Sequence, residues 1–486
     1  MIPIQFRRRG LHLSAALLFS TLAACGGGDG PTQPPGPTGV AVVAGGNMAD
    51  SVAAQPLQPL LVEVRDTKGK LAAGVQVRFE STLALLNGTN VPLATFAAAA
   101  AGPYESVLAM VTDAAGHATA FTRLGNAAGT GTINVTVPAL GFSATTPVTV
   151  RAGNAARLVA LPRDTAVYVG GSYTLRTQVL DRLGNAATGV VTGAPDSARV
   201  TFSGGAVTGT GFGRVLLRLA AGSATDSVRV SVVPQGTMLA AGRGGIYTFG
   251  LDGSGYRRVV ASPTARSPRW FPGGAQFVYG EALSHALVSD LNGVTHPLLP
   301  NPGTLTGEVW PHPSRDGQWV YFGGYTPLDG QAYRVKPDGS GLSLVPGVPV
   351  TSSTQAHPTV SPQNDRVVYF LDEFTVTLHV RNMQTGAELN APTAGHAPEW
   401  SHGELIAFID PINYSAGRVR VMAPNGSGNR AIAPGTGYDF GIDWSPDDQW
   451  VAVHDAASGL LHVIEVASGR VIPIPFTQGL ADPAWR

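Results

Sequence analysis

The stretch GIDWSPDDQWVAVHD, residues 441–455, decides the fold because diverged copies of it recur along the second half of the chain. The other copies are SPRWFPGGAQFVYG from residue 267, WPHPSRDGQWVYFG from residue 310, HPTVSPQNDRVVYF from residue 357 and APEWSHGELIAFID from residue 397. The chain ends on a fragment of the same pattern, DPAWR, residues 482–486. One position, called the anchor here, aligns in all six and is occupied by Trp270, Pro313, Val360, Trp400, Trp444 and Trp485.

The spacing of the anchors indicates the architecture of this region. Successive anchors lie 40 to 47 residues apart, and five of the six have a proline two residues earlier. Between the anchors run short apolar strand patterns, and each unit contains one glycine turn preceded by Asp, Asn, Thr or Ser. A period of this length with several short strands per unit is the signature of a β-propeller blade. The sequence therefore predicts a six-bladed β-propeller over residues 236–486.

The two ends of this region are incomplete in complementary ways. It opens with three strand patterns, MLAAG, GIYTFGL and YRRVVA, which no anchor strand precedes. It closes with Pro483-Ala484-Trp485, an anchor strand that no other strands follow. A ring whose last blade is shared between its ends leaves no open sheet edge. We therefore expect the strand of Trp485 to pair with the strand near Met238 and close the ring.

These repeats resemble those of the TolB propeller family. The resemblance rests on a repeat pattern of the type Pro-x-Trp-Ser-Pro-Asp-Gly, which reads Ile-Asp-Trp-Ser-Pro-Asp around Trp444, and on the Ile-Ala-Phe strand that follows Trp400, and it covers about 250 residues. It implies six blades of the PD40 type. In TolB an α/β domain precedes the propeller, whereas this chain has strand-rich segments there.

Two strand-rich segments, residues 40–152 and 153–235, precede the propeller. In LLVEVRD, residues 60–66, apolar and polar side chains alternate as a half-buried strand requires. Asp-x-x-Gly turns at residues 66–69, 113–116 and 181–184 predict hairpins. The pattern resembles bacterial Ig-like domains of the invasin and intimin type, so the whole chain is expected to be all-β. Such domains serve as spacers or, alternatively, as adhesive modules.

The N-terminus has the layout of a secretory signal, with arginines at residues 7–9 followed by an apolar run that ends in Leu-Ala-Ala before Cys25. It resembles the lipoprotein signal of bacteria, which implies lipidation of Cys25 and removal of residues 1–24. Residues 26–39 read as a Gly/Pro tether. These features predict a lipid-anchored protein of the cell envelope, and the glycine after Cys25 favours the outer membrane by the same resemblance.

The charge balance bears on partners. Lys plus Arg and Asp plus Glu number 32 each, so no net field favours nucleic acid. Because Cys25 is the one cysteine of the sequence, no disulfide can form within the chain. We expect a monomer that binds no nucleic acid and touches the membrane through its lipid alone.

Candidate site residues lie one position before the anchors. Most of these positions carry polar side chains in otherwise apolar strands, which predicts a channel mouth of mixed charge: Arg269, His312, Thr359, Glu399 and Asp443. An alternative is a metal site, because three imidazoles suffice to hold a transition metal. Its candidates stand in successive blades and resemble the metal-binding histidines of propeller lyases that act on uronic-acid oligosaccharides: His312, His357 and His396.

The sequence favours a lipid-tethered envelope protein whose Ig-like spacers present the propeller as a platform for a protein or a glycan, without catalysis or cofactor. Two alternatives remain open. One is a metal-dependent carbohydrate lyase or hydrolase that works in the channel. The other is an adhesin that acts through its Ig-like domains.

Overall fold

The computed structural model describes residues 38–486 except residues 283, 304, 328–329, 352–353, 373–375 and 414–415. The predicted signal, Cys25 and most of the tether lie outside the described residues. The described chain is all-β, as predicted, with one 3-10 turn at Pro138–Leu140. It forms two compact units, one ending at Arg151 and the other beginning at Ala152. None of the helices within the described part of the chain could cross a membrane.

The first unit is a sandwich of two sheets with a small extra hairpin. Alternating strands bury one face, so that Leu60, Val62 and Val64 are fully buried while Glu63 and Arg65 stay partly exposed. The sheets run β1-β3-β9-β7 and β2-β11-β10-β4-β8, and β5 pairs with β6. The strands are β1 Gly39–Ala44, β2 Met48–Ser51, β3 Leu60–Arg65, β4 Gln76–Ser81, β5 Leu83–Leu86, β6 Thr89–Pro92, β7 Ala94–Ala97, β8 Val107–Val111, β9 His117–Leu124, β10 Gly129–Val137 and β11 Phe142–Arg151.

The Asp-x-x-Gly turns form as tight turns but not as hairpins. At the first of them the Asp66 carboxylate accepts the N–H groups of Lys68 and Lys70 at 2.8 and 2.9 Å. The chain then crosses between sheets, because β3 and β4 belong to opposite sheets of the sandwich, as do β8 and β9. The side chain of Asp66 stabilises the turn locally, whereas the destination of the next strand is set by which sheet buries its apolar face.

The second unit begins with nine strands around an apolar core. Its sheets run β12-β15, β13-β20-β19-β16 and β14-β18-β17. The strands are β12 Arg157–Leu161, β13 Asp164–Tyr168, β14 Ser172–Thr174, β15 Arg176–Leu180, β16 Thr192–Pro195, β17 Val200–Ser203, β18 Ala206–Gly209, β19 Gly213–Ala221 and β20 Ala224–Val233.

The remaining strands form six blades of four strands each. The sixth blade uses both ends of this region and runs β23-β22-β21-β44. The strands are β21 Thr237–Gly242, β22 Gly245–Gly250, β23 Arg257–Val260, β24 Ala265–Trp270, β25 Gln276–Glu281, β26 His285–Asp290, β27 Thr295–Pro297, β28 Gly307–Pro313, β29 Val320–Tyr325, β30 Gly330–Val335, β31 Ser343–Leu344, β32 Thr354–Val360, β33 Arg366–Asp372, β34 Thr377–Asn382, β35 Thr393–Ala394, β36 His396–Trp400, β37 Ile406–Asn413, β38 Ala416–Met422, β39 Arg430–Ala431, β40 Tyr438–Trp444, β41 Trp450–Asp455, β42 Leu460–Glu465, β43 Val471–Pro473 and β44 Leu480–Trp485.

Blades 1 to 5 follow the chain in groups of four strands from β24 to β43. A single pairing, Gly417 with Tyr438, joins the third strand of blade 4, β38, to the first strand of blade 5, β40. The first strand of each blade, β24, β28, β32, β36, β40 and β44, carries the anchor and is called the inner strand below. This confirms the six-unit reading of the repeat.

Strand β44 closes the ring as expected. Met238 pairs with Trp485 and Leu239 with Ala484. The N–H groups of Thr237 and Arg486 each donate to the other's carbonyl at 2.8 Å. The Trp485 side chain is 5% exposed, and a Cβ added at Gly236 would overlap its indole nitrogen. A tryptophan near the last residue is thus held by packing and by the pairing of β44 with β21.

The second sandwich has its own core and shares a second apolar cluster with the propeller. Tyr168 and Phe212 of the sandwich pack in one apolar cluster with residues of blades 5 and 6, Trp450 and Trp485 among them. The rings of Phe212 and Trp450 meet edge-on at 4.9 Å between centroids. The Ser231 hydroxyl donates to the Pro473 carbonyl at 2.8 Å. This sandwich is therefore packed onto the propeller.

Candidate functional site

Three of the tryptophan anchors bond to the blade that precedes theirs in the ring. The indole N–H of Trp400 donates to the Thr359 carbonyl at 3.2 Å, and that of Trp444 donates to the Glu399 carbonyl at 3.0 Å. Around the closure, Trp270 of blade 1 makes the same bond to Ala484 of blade 6 at 3.1 Å. The acceptor is always the residue that precedes the neighbouring anchor. These bonds hold the inner strands side by side around the axis.

A β-bulge interrupts every inner strand at the same place. The residue three positions before each anchor has a positive φ, between 48° and 95°, and the pairing with the next strand shifts register there. Bulges re-aim the side chains that follow them. The six bulge residues are Ser267, Trp310, His357, Ala397, Gly441 and Asp482.

Three of the predicted side chains meet across the propeller axis. His312 Nε2 of blade 2 lies 2.7 Å from Glu399 Oε1 of blade 4. Arg269 Nε of blade 1 lies 3.6 Å from Glu399 Oε2. The Arg269 guanidinium also donates to the carbonyls of Ile442 at 3.0 Å and Pro483 at 3.3 Å, which belong to blades 5 and 6. The position before the anchor therefore builds a charged cluster where the inner strands converge.

Asp443 completes this axial cluster from blade 5. Its carboxylate accepts the backbone N–H groups of Trp444 at 2.8 Å and Trp485 at 2.6 Å. Burial and the neighbouring Glu399 raise the pKa of Asp443 to about 6. Burial by itself raises the pKa of Glu399, but His312 and Arg269 outweigh it and bring that pKa down to about 2. At neutral pH the Glu399 carboxylate is therefore ionised beside the Arg269 guanidinium.

Thr359, the fifth predicted residue, points elsewhere. Its side chain is fully buried, and its hydroxyl donates to the Pro398 carbonyl of the next blade at 3.5 Å. It contributes to blade packing and does not border the cavity described next.

A cavity of about 350 Å³ opens above the axial cluster, at the end where the inner strands turn into the second strands of the blades. Arg269, His312 and Asp443 border it, while Glu399 lies behind them. Its rim is formed by residues that follow the anchors, including Arg315, His402 and Arg486. This cavity and its rim are called the mouth below.

The rim residues were not singled out from the sequence. Arg315 and His402 each lie two positions after an anchor, and Arg486 lies one position after Trp485. The alignment that located the anchors could have found them, because every inner strand ends at the same face.

The three candidate metal ligands lie in different settings. His312 is bonded to Glu399, whereas His357 occupies a bulge and stacks on Trp310 with 6.0 Å between ring centroids. His396 is 3% exposed and lies one position before another bulge. Within the described ranges, no three His, Cys, Asp or Glu side chains are gathered to hold a metal.

His396 should make stability depend on pH. Burial lowers its pKa to about 4, although Asp439 acts in the opposite sense. The unfolded chain, with the ordinary value of 6.5, then binds more protons than the folded one between these values. The free energy of unfolding should therefore fall as the pH drops through this window, by roughly 2–3 kcal/mol at pH 4. Denaturant unfolding at pH 7 and pH 4.5 measures this loss.

The matched variants are His396→Gln and His296→Gln, since His296 is exposed. We expect the first to unfold with a weaker pH dependence than the wild type and the second to behave like the wild type. Equal pH dependence in all three proteins would show that His396 is not buried in its neutral form.

A scan of protein families found no match to this sequence, and a search of curated proteins found none either. Solved structures with a similar fold include TolB from Acinetobacter baumannii, which is 16% identical over 62% of this chain and 83% of its own, with a TM-score of 0.44. A putative TolB from Agrobacterium tumefaciens is 15% identical over 49% of this chain and 88% of its own, with a TM-score of 0.40. An oligogalacturonate lyase from Vibrio parahaemolyticus is 10% identical over 59% of this chain and 86% of its own, with a TM-score of 0.36.

Proposed function

We propose that this chain is a lipid-anchored protein of the cell envelope in which the propeller is a binding platform for a protein or a glycan, and that the ligand seats in the mouth. The mouth cavity carries the proposal. It combines a concave shape, aromatic walls that include Trp270 and Trp444, and a few polar groups at its base. Small-molecule and terminal-group sites in proteins share this composition.

The base of the mouth is preorganised for binding. Arg269 and His312 are held by Glu399, and Asp443 is held by two backbone N–H groups. Side chains fixed in this way lose little conformational entropy when a ligand arrives. Attachment to the membrane is inferred from the sequence around Cys25. The first sandwich and the Gly/Pro tether would hold the propeller away from the lipid.

Filling the mouth tests the proposal. Pro446 is exposed on the rim, in the turn where Asp448 N–H donates to the Ser445 carbonyl at 3.0 Å. Pro446→Trp should fill the cavity and reduce capture of the ligand at least about tenfold. Pro362→Trp is the matched control, because Pro362 has the same place in the equivalent turn of blade 3 and does not border the cavity.

The measurement is binding of the full chain and both variants to a glycan array and to proteins of an envelope extract. A ligand retained by the wild type and by Pro362→Trp but lost by Pro446→Trp is the expected result. Ligands that bind all three proteins equally would contradict a site in the mouth.

A further inference from the structure

The charges of the mouth are not balanced at its rim. Arg315 is half-buried, and its guanidinium donates to the Trp400 carbonyl at 3.1 Å. Arg486 donates to the Gly274 carbonyl at 3.0 Å and lies over the Trp270 ring at 5.6 Å. Among the residues that the structure describes, no carboxylate lies within 4.0 Å of the guanidinium nitrogens of Arg315 or Arg486.

Two buried polar atoms at the base of the mouth make no hydrogen bond with the described residues. Arg269 is 5% exposed, and the nearest carboxylate oxygen to its Nε, Glu399 Oε2, lies 3.6 Å away, beyond hydrogen-bond distance. The other atom is Nδ1 of His312. Buried polar atoms of native proteins are almost always bonded, so such atoms beside a cavity indicate a polar group that enters it.

The carboxylates in and near the mouth already accept hydrogen bonds from the protein. Asp443 is the one carboxylate among the side chains that line the described cavity, and its two oxygens accept the N–H groups of Trp444 and Trp485. Glu399 lies behind the lining and is bonded to His312. Asp448, near the rim, accepts the backbone N–H groups of His402 at 2.7 Å and Gly403 at 2.6 Å. The accessible donors therefore outnumber the accessible acceptors.

The titration of His402 is consistent with a positive field at the rim. Burial and the charge of Arg315 lower its pKa, against the opposing effect of Asp448. The Arg315 guanidinium stands at the rim of a cavity with apolar walls, where it attracts an anion more strongly than it would on an open surface.

The size and walls of the mouth limit the rest of the ligand. At about 350 Å³ the cavity lies at the small end of ligand sites, which span about 300–1,000 Å³. Its aromatic lining, with Trp270 and Phe271 on one side, suits the apolar face of a ring. An extended peptide would need a longer groove.

We propose that the mouth receives one acidic sugar residue of a glycan, with its carboxylate or phosphate facing Arg315 and Arg269 and its ring against Trp270. This rests on the proposed function and narrows its ligand to an anionic sugar. Carboxylate and phosphate share the chemistry that a guanidinium recognises, namely paired acceptor oxygens with negative charge.

The test is calorimetric titration of the full chain with three probes: D-glucuronate, D-glucose 6-phosphate and D-glucose. We expect at least one anion to bind about tenfold or more tightly than glucose, because a charge-assisted hydrogen bond is worth about 1.5–3 kcal/mol. Binding should weaken in 0.5 M NaCl. Preference for glucuronate or for glucose 6-phosphate identifies the anionic group, and either preference supports the proposal.

The matched variants are Arg315→Gln and Arg243→Gln, since Arg243 is exposed and does not border the cavity. The first should lose about tenfold in affinity for the anion and the second should bind like the wild type. Equal affinity for glucose and both anions, no binding of either anion, or equal behaviour of the two variants would overturn the proposal. If Pro446→Trp still abolishes capture of a neutral glycan or of a protein, the platform stands and the acidic sugar alone is wrong.

Discussion

Deletion of residues 482–486 should lower the melting temperature of the propeller by at least about 10 °C. The deletion removes the Trp485 side chain from a buried cluster, which costs about 3–5 kcal/mol, and also the ladder between β44 and β21. In a domain of this size each kcal/mol shifts the midpoint by about 2–4 °C. Differential scanning calorimetry of the full chain and of the truncated chain measures the shift.

The two sandwiches should respond differently to this deletion, and the first of them is the internal control. The second sandwich shares the cluster that contains Trp485, so it should melt at the lowered temperature together with the propeller. The first sandwich belongs to the other compact unit and should melt as in the full chain. An unchanged propeller transition in the truncated chain would show that the ring does not depend on its closing strand.

Arg269→Met should have the second-largest effect, a destabilisation of about 3–5 kcal/mol, or roughly 10 °C. The substitution leaves the buried Glu399 carboxylate with His312 as its remaining partner, and it removes donors from the carbonyls of Ile442 and Pro483. Removal of one partner of a buried ion pair is far more costly than replacement of both by apolar side chains. Thermal unfolding of the purified variant at pH 7 measures the loss.

The double variant Arg269→Met/Glu399→Met separates the stability lost through an unpaired charge from the stability lost through altered packing. We expect it to recover part of the stability lost in Arg269→Met, because the buried Glu399 carboxylate is then no longer present without Arg269. Strictly additive losses of the two single variants would show that Arg269 and Glu399 do not interact across the axis.

The ring could be predicted from the sequence because residues with the same structural role recur at equivalent positions of the repeat. Three of the four tryptophan anchors, Trp270, Trp400 and Trp444, donate their indole N–H to the neighbouring blade, so the residue type recurs where that bond forms. The complementary ends of the repeat then required Trp485 to pair near Met238, as it does. Backbone pairing of this kind leaves a period in the sequence.

The bulges recur at a fixed position, and five of the six bulge residues directly precede the proline of the repeat, but no single residue type marks them. Ser267, His357 and Asp482 share a positive φ but no side-chain chemistry, because the pairing of each inner strand imposes the conformation on whatever residue is there. The reach of Arg269 across the axis to Glu399 depends on that geometry and could not be read from spacing. Polarity before the anchors was visible in the sequence, whereas the contacts were not.

The sandwiches illustrate a second limit. The turn at Asp66 was recognisable from its residues, but the same turn chemistry serves a hairpin or a crossover between sheets. Likewise Tyr168 and Phe212 are ordinary apolar residues of strand-rich segments, and nothing in their pattern distinguishes a side chain packed in its own core from one packed on a propeller.

Amide hydrogen exchange of the native full chain tests the closure of the ring most directly. The peptides that contain Thr237–Gly242 and Leu480–Trp485 should exchange as slowly as the inner strand Tyr438–Trp444. The reason is that Thr237 and Arg486 each donate their backbone N–H to the other's carbonyl, and Trp485 is buried. Rapid exchange of the terminal peptide while Tyr438–Trp444 remains protected would contradict a ring closed by its last strand.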